Sequence, residues 1–133
     1  MRRRNLLATV GAGAVALAGC STGLADDEYD VGMTANQFQP SEVTVSAGDR
    51  LVWGNPSSRG HSVTGYQASI PDGAAYFASG GFDSEQAARD GYPNRGNLVP
   101  GDTYAHTFEV PGEYRYFCIP HERVGMVGTV VVE

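Results

Sequence analysis

The chain has 133 residues, 41% hydrophobic and 18% charged, which suits one globular domain and excludes disordered, collagenous or coiled-coil classes. All nine basic residues are arginine, against fifteen acids, and the net charge of −6 disfavours a nucleic-acid partner. Two cysteines, neither in a C-x-x-C pair, exclude a multi-disulfide scaffold.

Residues 1–19 predict an export signal. Arg2, Arg3 and Arg4 precede an apolar run from Leu6 to Ala18, too short to span a bilayer as a helix. Arg3-Arg4-Asn5-Leu6-Leu7 is a twin-arginine pattern, the mark of a route that exports folded proteins. Leu17-Ala18-Gly19-Cys20 has the form of a lipobox, which makes Cys20 the lipid-modified first residue after cleavage. The plain alternative is an ordinary secretory signal with Cys20 incidental. The expected location is the outer face of the cytoplasmic membrane. Cleavage removes three arginines and no acids, so the net charge moves from −6 to −9. That balance, with no lysine, points to a protein soluble in high salt, because hydrated carboxylates keep surfaces apart.

Residues 20–28, small and acidic, predict a tether between a lipid anchor and a domain over 29–133. Strand signals begin at Tyr29. Val43-Thr44-Val45 alternates, Gly48-Asp49 is a turn, and Leu51-Val52-Trp53 resumes a strand that Gly54-Asn55-Pro56 breaks. Residues 65–101 are rich in Gly, Ser, Asp and Tyr and predict a long irregular connection, with one capped helical turn after Ser84. Tyr104–Val110 is a strand, Pro111-Gly112 a turn, Tyr114–Cys118 an aromatic strand and Val127–Val132 the last strand. Short strands punctuated by turns predict an all-β Greek-key sandwich.

The chemistry lies in Cys118-Ile119-Pro120-His121 and, five residues on, Met126, between the last two strands. One tight loop turns thiol, imidazole and thioether toward a common point, with Pro120 and Gly125 supplying a fixed and a permissive φ. A second imidazole would come from His61, just past the Leu51–Trp53 strand. Two imidazoles, a thiolate and a weak axial thioether form the blue-copper arrangement used for electron transfer. Each residue alone has a bland reading: Cys118 as a buried free thiol or a partner of Cys20, Met126 as core filler, His61 and His121 as surface histidines. His106, mid-strand, is assigned a structural or surface role. Competing classes are a copper carrier or store, a catalytic copper enzyme, a structural zinc site, for which a thioether is a poor ligand, and an adhesion lipoprotein.

The C-x-x-H-x-x-x-x-M loop, Gly60-His61-Ser62-Val63, and Phe38–Val45 followed by Gly48-Asp49 resemble the plastocyanin-type cupredoxins. With the lipobox leader, the likeness is to their membrane-anchored members, the halocyanins of haloarchaea. The resemblance covers residues 30–63 and 101–133. It implies one copper ion held by His61, Cys118, His121 and Met126, and electron exit through His121 amid Pro120, Val124 and Gly125. It implies a monomeric carrier rather than an enzyme, with a quinol-oxidising complex as donor and a terminal oxidase or reductase as acceptor. Two departures stand out: Ser62 replaces an asparagine that ties the ligand loops together in many relatives, and Phe117 replaces the tyrosine of plant plastocyanins.

Overall fold

The computed structural model describes residues 24–133, so the twin-arginine leader and Cys20 lie outside the described residues. The described chain forms strands β1 (Val31–Met33), β2 (Phe38–Gln39), β3 (Glu42–Val45) and β4 (Asp49–Gly54). These are followed by β5 (Thr64–Gly65), helix α1 (Glu85–Gly91), β6 (Thr103–Phe108), β7 (Gly112–Phe117) and β8 (Val127–Val132). Burial alternates along the last strand. In β8, Gly128, Val130 and Val132 are buried and the residues between them are half-buried.

Two four-stranded sheets result, ordered β2-β1-β4-β6 and β3-β8-β7-β5. Their inner faces make an all-β sandwich. Most neighbours are antiparallel, but β1 lies parallel to β4 and β3 parallel to β8. The core between the sheets is aromatic: Trp53 meets Tyr116 edge-on at 5.4 Å, and Phe38 meets Tyr116 at 4.7 Å. Each such ring, fully buried, contributes roughly 1.5–3 kcal/mol relative to exposure.

Two segments carry detail beyond the expected outline. In the acidic stretch before Tyr29, Asp26–Glu28 forms a 3-10 turn, and Glu28 accepts the Ala25 N–H at 2.9 Å. Tyr29 then lays its ring over Gly32 and Gly54, where an added Cβ would come within 2.8 and 2.5 Å of it. The 65–101 connection is irregular but is no surface excursion. It sends Phe77 into the core, stacked 6.2 Å from Trp53 and edge-on to Phe108 at 5.3 Å. Ala78, Ala88 and Leu98 are buried with it. The helical turn forms where Ser84 predicted it, the serine hydroxyl accepting the Ala87 N–H at 3.1 Å.

Candidate metal centre

β7 ends at Phe117 because Pro120, two residues past Cys118, has no N–H to extend a ladder. The chain tightens into a 3-10 turn over Ile119–Val124, in which the His121 N–H donates to the Cys118 carbonyl at 3.2 Å. Gly125, at φ +90°, reverses the chain in a conformation that side chains resist. Met126 then donates to the His121 carbonyl at 3.2 Å and accepts from the Cys118 N–H at 3.0 Å. Three of the four expected ligands are thus fixed by backbone bonds within one nine-residue loop, and Met126 is fully buried at its base.

His61 reaches the same place from the segment that leads into β5, the strand beside β7. It exchanges backbone bonds with Leu98 (3.1 and 2.7 Å), while Thr64, three residues on, pairs with Phe117. The donor atoms of His61, Cys118 and His121 all lie within 4.8 Å of one another. Cys118 Sγ is 3.6 Å from His61 Nδ1 and 3.4 Å from His121 Nδ1. Cys118 and His61 are fully buried, and His121 is partly open to solvent.

Burial sets the protonation of all three. It pushes the Cys118 thiol up to about 11, an effect partly offset by the Ser62 N–H aimed at the sulfur from 3.4 Å. It lowers His61 to about 4, with His121 and Arg59 adding repulsion. His121 is also lowered, by burial and then by Arg59. Near neutral pH the centre therefore offers two imidazole lone pairs and a thiol whose proton a metal would displace. This donor set fits copper: soft sulfur and imidazole select it, and a thioether completes the type.

Ser62 does the tying expected of the asparagine it replaces. Its hydroxyl accepts the Ile119 N–H at 2.8 Å and contacts the Thr64 hydroxyl at 2.9 Å, joining the His61 segment to the Cys118 loop. Phe117 is closed off. The Tyr66 ring lies 4.4 Å from it, and the Arg89 guanidinium sits 4.2 Å from its centroid. Arg89 is clamped by Glu85 at 2.8 Å and by Glu122 at 2.9 Å, and the Tyr66 hydroxyl donates to Glu122 at 2.7 Å. Helix α1 thereby grips the residue next to His121. His106 lies away from the centre, half-buried and stacked on Phe77 at 5.2 Å, a structural place.

Sequence reasoning missed Tyr66, Arg89 and Glu122, and also Asn55 and Ser57. Ser57 Oγ lies 3.1 Å from His61 Nε2. The signal available for Asn55 and Ser57 was only that of turn residues beside Pro56.

Residues 25–133 match the copper-binding proteins of the plastocyanin/azurin family. The chain belongs to that family. It is a cupredoxin, a blue copper electron-transfer protein, and plastocyanin-like members of this class are electron carriers rather than enzymes. Among similar proteins, a chloroplastic plastocyanin of Tetradesmus obliquus is 33% identical over 126 residues, covering 92% of this chain and 79% of its own. An oxidised amicyanin variant shares the fold at a TM-score of 0.59 and 24% identity, over 83% of this chain and 86% of that one. A copper-containing nitrite reductase of Thermus scotoductus aligns at a TM-score of 0.57 and 23% identity, covering 77% of this cupredoxin but 21% of the enzyme. At that identity the likeness is one of fold.

Proposed function

We propose that this cupredoxin is a membrane-anchored carrier, of the halocyanin kind, that shuttles single electrons between respiratory-chain components without catalysing a reaction of its own. The observation that carries this reading is the convergence of His61, Cys118 and His121 donor atoms within 4.8 Å, with only His121 reaching toward solvent. Bound copper would supply a one-electron couple between Cu(II) and Cu(I). The chain's own part is to hold the ligands still. His61 is tied to Leu98, the Cys118 loop is closed on Met126, and Ser62 bridges the two. A site fixed by folding has little to rearrange when its charge changes.

His121 is the exit. Pro120, Val124 and Gly125 around it are exposed, and Val124 is 65% so. Small, transient encounters are usual between redox partners. In molar salt the Debye length falls to about 3 Å, so an apolar contact at this patch outweighs long-range steering by the acidic surface. Anchoring rests on the lipobox ending at Cys20, and export in folded form on Arg3-Arg4. A quinol-oxidising complex as donor and a terminal oxidase or reductase as acceptor fit a monomeric carrier held on the outer face of the membrane.

The test is a visible spectrum of the chain loaded with Cu(II), before and after ascorbate. An intense blue band that ascorbate bleaches and air restores is expected, and Cys118→Ser should abolish it. A colourless protein with copper bound, or a blue Cys118→Ser variant, would overturn the reading. In a host with lipoprotein processing, Cys20→Ala should shift the protein from membrane to soluble fraction. Unchanged membrane retention would remove the anchor.

A further inference from the structure

We infer that the face around His121 docks a protein surface that bears carboxylates, with Arg59 from one loop and Arg123 from another as the groups that grip it. The inference rests on the reading of His121 as the electron exit and adds the polarity of the partner.

Charge is shared unevenly between the two ends of the sandwich. Four connecting segments meet at the ligand end. They are 34–37, whose Thr34 backbone hydrogen-bonds the His61 ring, 55–60, 95–102, which pairs with His61 through Leu98, and the loop 119–125. These segments carry Arg59, Arg95 and Arg123 against Asp102 and Glu122, whereas the whole chain has nine arginines against fifteen acids. At the opposite end β4 and β7 begin and β6 and β8 finish, and there Asp49, Glu109, Glu113 and Glu133 gather. Six-residue strands put about 20 Å between the two ends.

The acids at the ligand end are already engaged. Glu122 receives both prongs of Arg89 and the Tyr66 hydroxyl, and the Asp102 carboxylate accepts the Val99 N–H at 3.0 Å. Arg95 is turned onto the Gly80 and Gly81 carbonyls at 2.6 and 3.2 Å. Arg59 and Arg123 differ: both are exposed, and among the described residues neither pairs with a carboxylate. Arg59 lies near enough to both imidazoles to repel their protons. Its backbone is pinned, the carbonyl accepting from Asn55 at 2.6 Å and the N–H donating to Ser57 Oγ at 3.2 Å. Arg123 stands two residues from His121 and beside the exposed Val124. An acidic chain thus keeps two unpaired guanidinium groups at the place where electrons leave. The guanidinium fork matches a carboxylate and sheds water readily, and an apolar centre edged by arginine has the make-up of an interface. Such pairs act at about 3 Å, no farther than the Debye length of molar salt, so they persist where long-range steering does not.

The test oxidises the reduced, copper-loaded chain with hexacyanoferrate(III), an anionic probe. One electron passes from Cu(I) to the iron, leaving Cu(II) and hexacyanoferrate(II), and no proton moves. From about 0.1 M salt upward the Debye length is about 10 Å or less, and the acids of the far end are screened. The rate should then fall as salt rises, whereas control by the net negative charge would make it rise. Arg59→Gln and Arg123→Gln should each slow the oxidation about two- to five-fold, and lysine at either position should restore it. Arg50→Gln, the same change of charge toward the far end, should leave the rate unaltered. Loss of a cation beside the metal favours Cu(II), so a shifted potential would speed the reaction and cannot mimic the result. Polyglutamate, a carboxylate surface with no redox centre, should compete with the probe. In 1H–15N NMR of the copper-free chain it should shift the Arg59 and Arg123 amides before others. A blue chain that reacts faster as salt rises, or whose arginine variants match the wild type, would overturn the inference and leave the carrier reading standing. So would a double Arg59→Gln, Arg123→Gln substitution that frees the Cys20→Ala chain from phosphatidylglycerol vesicles at an unaltered oxidation rate, since the face would then be a lipid contact. A colourless copper-loaded chain would instead remove the carrier reading, and this inference with it.

Discussion

Arg89→Ala would test whether helix α1 braces the ligand loop. The guanidinium lies 4.2 Å from the Phe117 centroid, 2.8 Å from Glu85 and 2.9 Å from Glu122. A cation over a ring near the surface contributes about 0.5–1 kcal/mol. The i,i+4 pair with Glu85 adds about 0.3–0.5 kcal/mol, and the two-pronged pair with Glu122 belongs near the top of the range of about 0.2–1 kcal/mol. Alanine, the better helix former, recovers a few tenths of a kcal/mol. A net loss of about 1–2 kcal/mol follows, which at this chain length lowers Tm by about 4–8 °C. Calorimetry measures it, and a double-mutant cycle with Glu122→Gln isolates the pair, with a coupling of about 0.5–1 kcal/mol expected. At about 1 M salt the carboxylate share should shrink while the ring contact persists. The Arg89 hydrogen bonds hold the Glu122 carboxyl below its ordinary 4.5. A depressed folded pKa stabilises fully above the unfolded value and loses that contribution as pH falls through the folded one. The coupling should therefore be constant from neutral pH down to the ordinary carboxylate range and vanish below it. A Tm change under about 2 °C together with an additive cycle would refute the brace.

Two further substitutions probe the core and the axial position. Phe77→Ala removes a buried ring that touches Trp53, Phe108, Tyr114 and Tyr116, and should cost about 3–5 kcal/mol in urea unfolding. A loss below about 1 kcal/mol would mean that the connection does not pack there. Met126→Leu conserves volume, so stability should change by less than about 1.5 kcal/mol. Voltammetry should show a raised reduction potential, because loss of a weak donor disfavours Cu(II). An unchanged potential would remove Met126 from the axial role.

The parts of the centre legible in the sequence are those whose geometry is local. His121 bonds to Cys118 three residues back, and Met126 bonds to both within eight, so spacing and the Pro120/Gly125 punctuation carried the loop. Alternation carried β3, and aromatic enrichment carried β7. The 65–101 connection resisted reading for a physical reason. Its core contributions are single residues at irregular intervals, Phe77, Ala78, Ala88 and Leu98, and no period of 2 or 3.6 links them. Only the cap at Ser84 announced itself, because an N-cap is a local bond.

The chain alone determined the longer strands, around Val43–Val45, Leu51–Trp53, Tyr104–Val110, Tyr114–Cys118 and Val127–Val132, the loop bearing Cys118, His121 and Met126, and the soft donor set that selects copper. What the tertiary structure decided was everything spanning two distant segments. It brought His61, 57 residues from Cys118, to 3.6 Å of the sulfur through its bridge to Leu98. It seated Arg89 over Phe117 and aimed the Asn55–Ser57 pair at the back of the His61 ring. Such contacts leave no periodic trace, since each depends on how two sheets and one long connection close on each other rather than on any spacing along the chain.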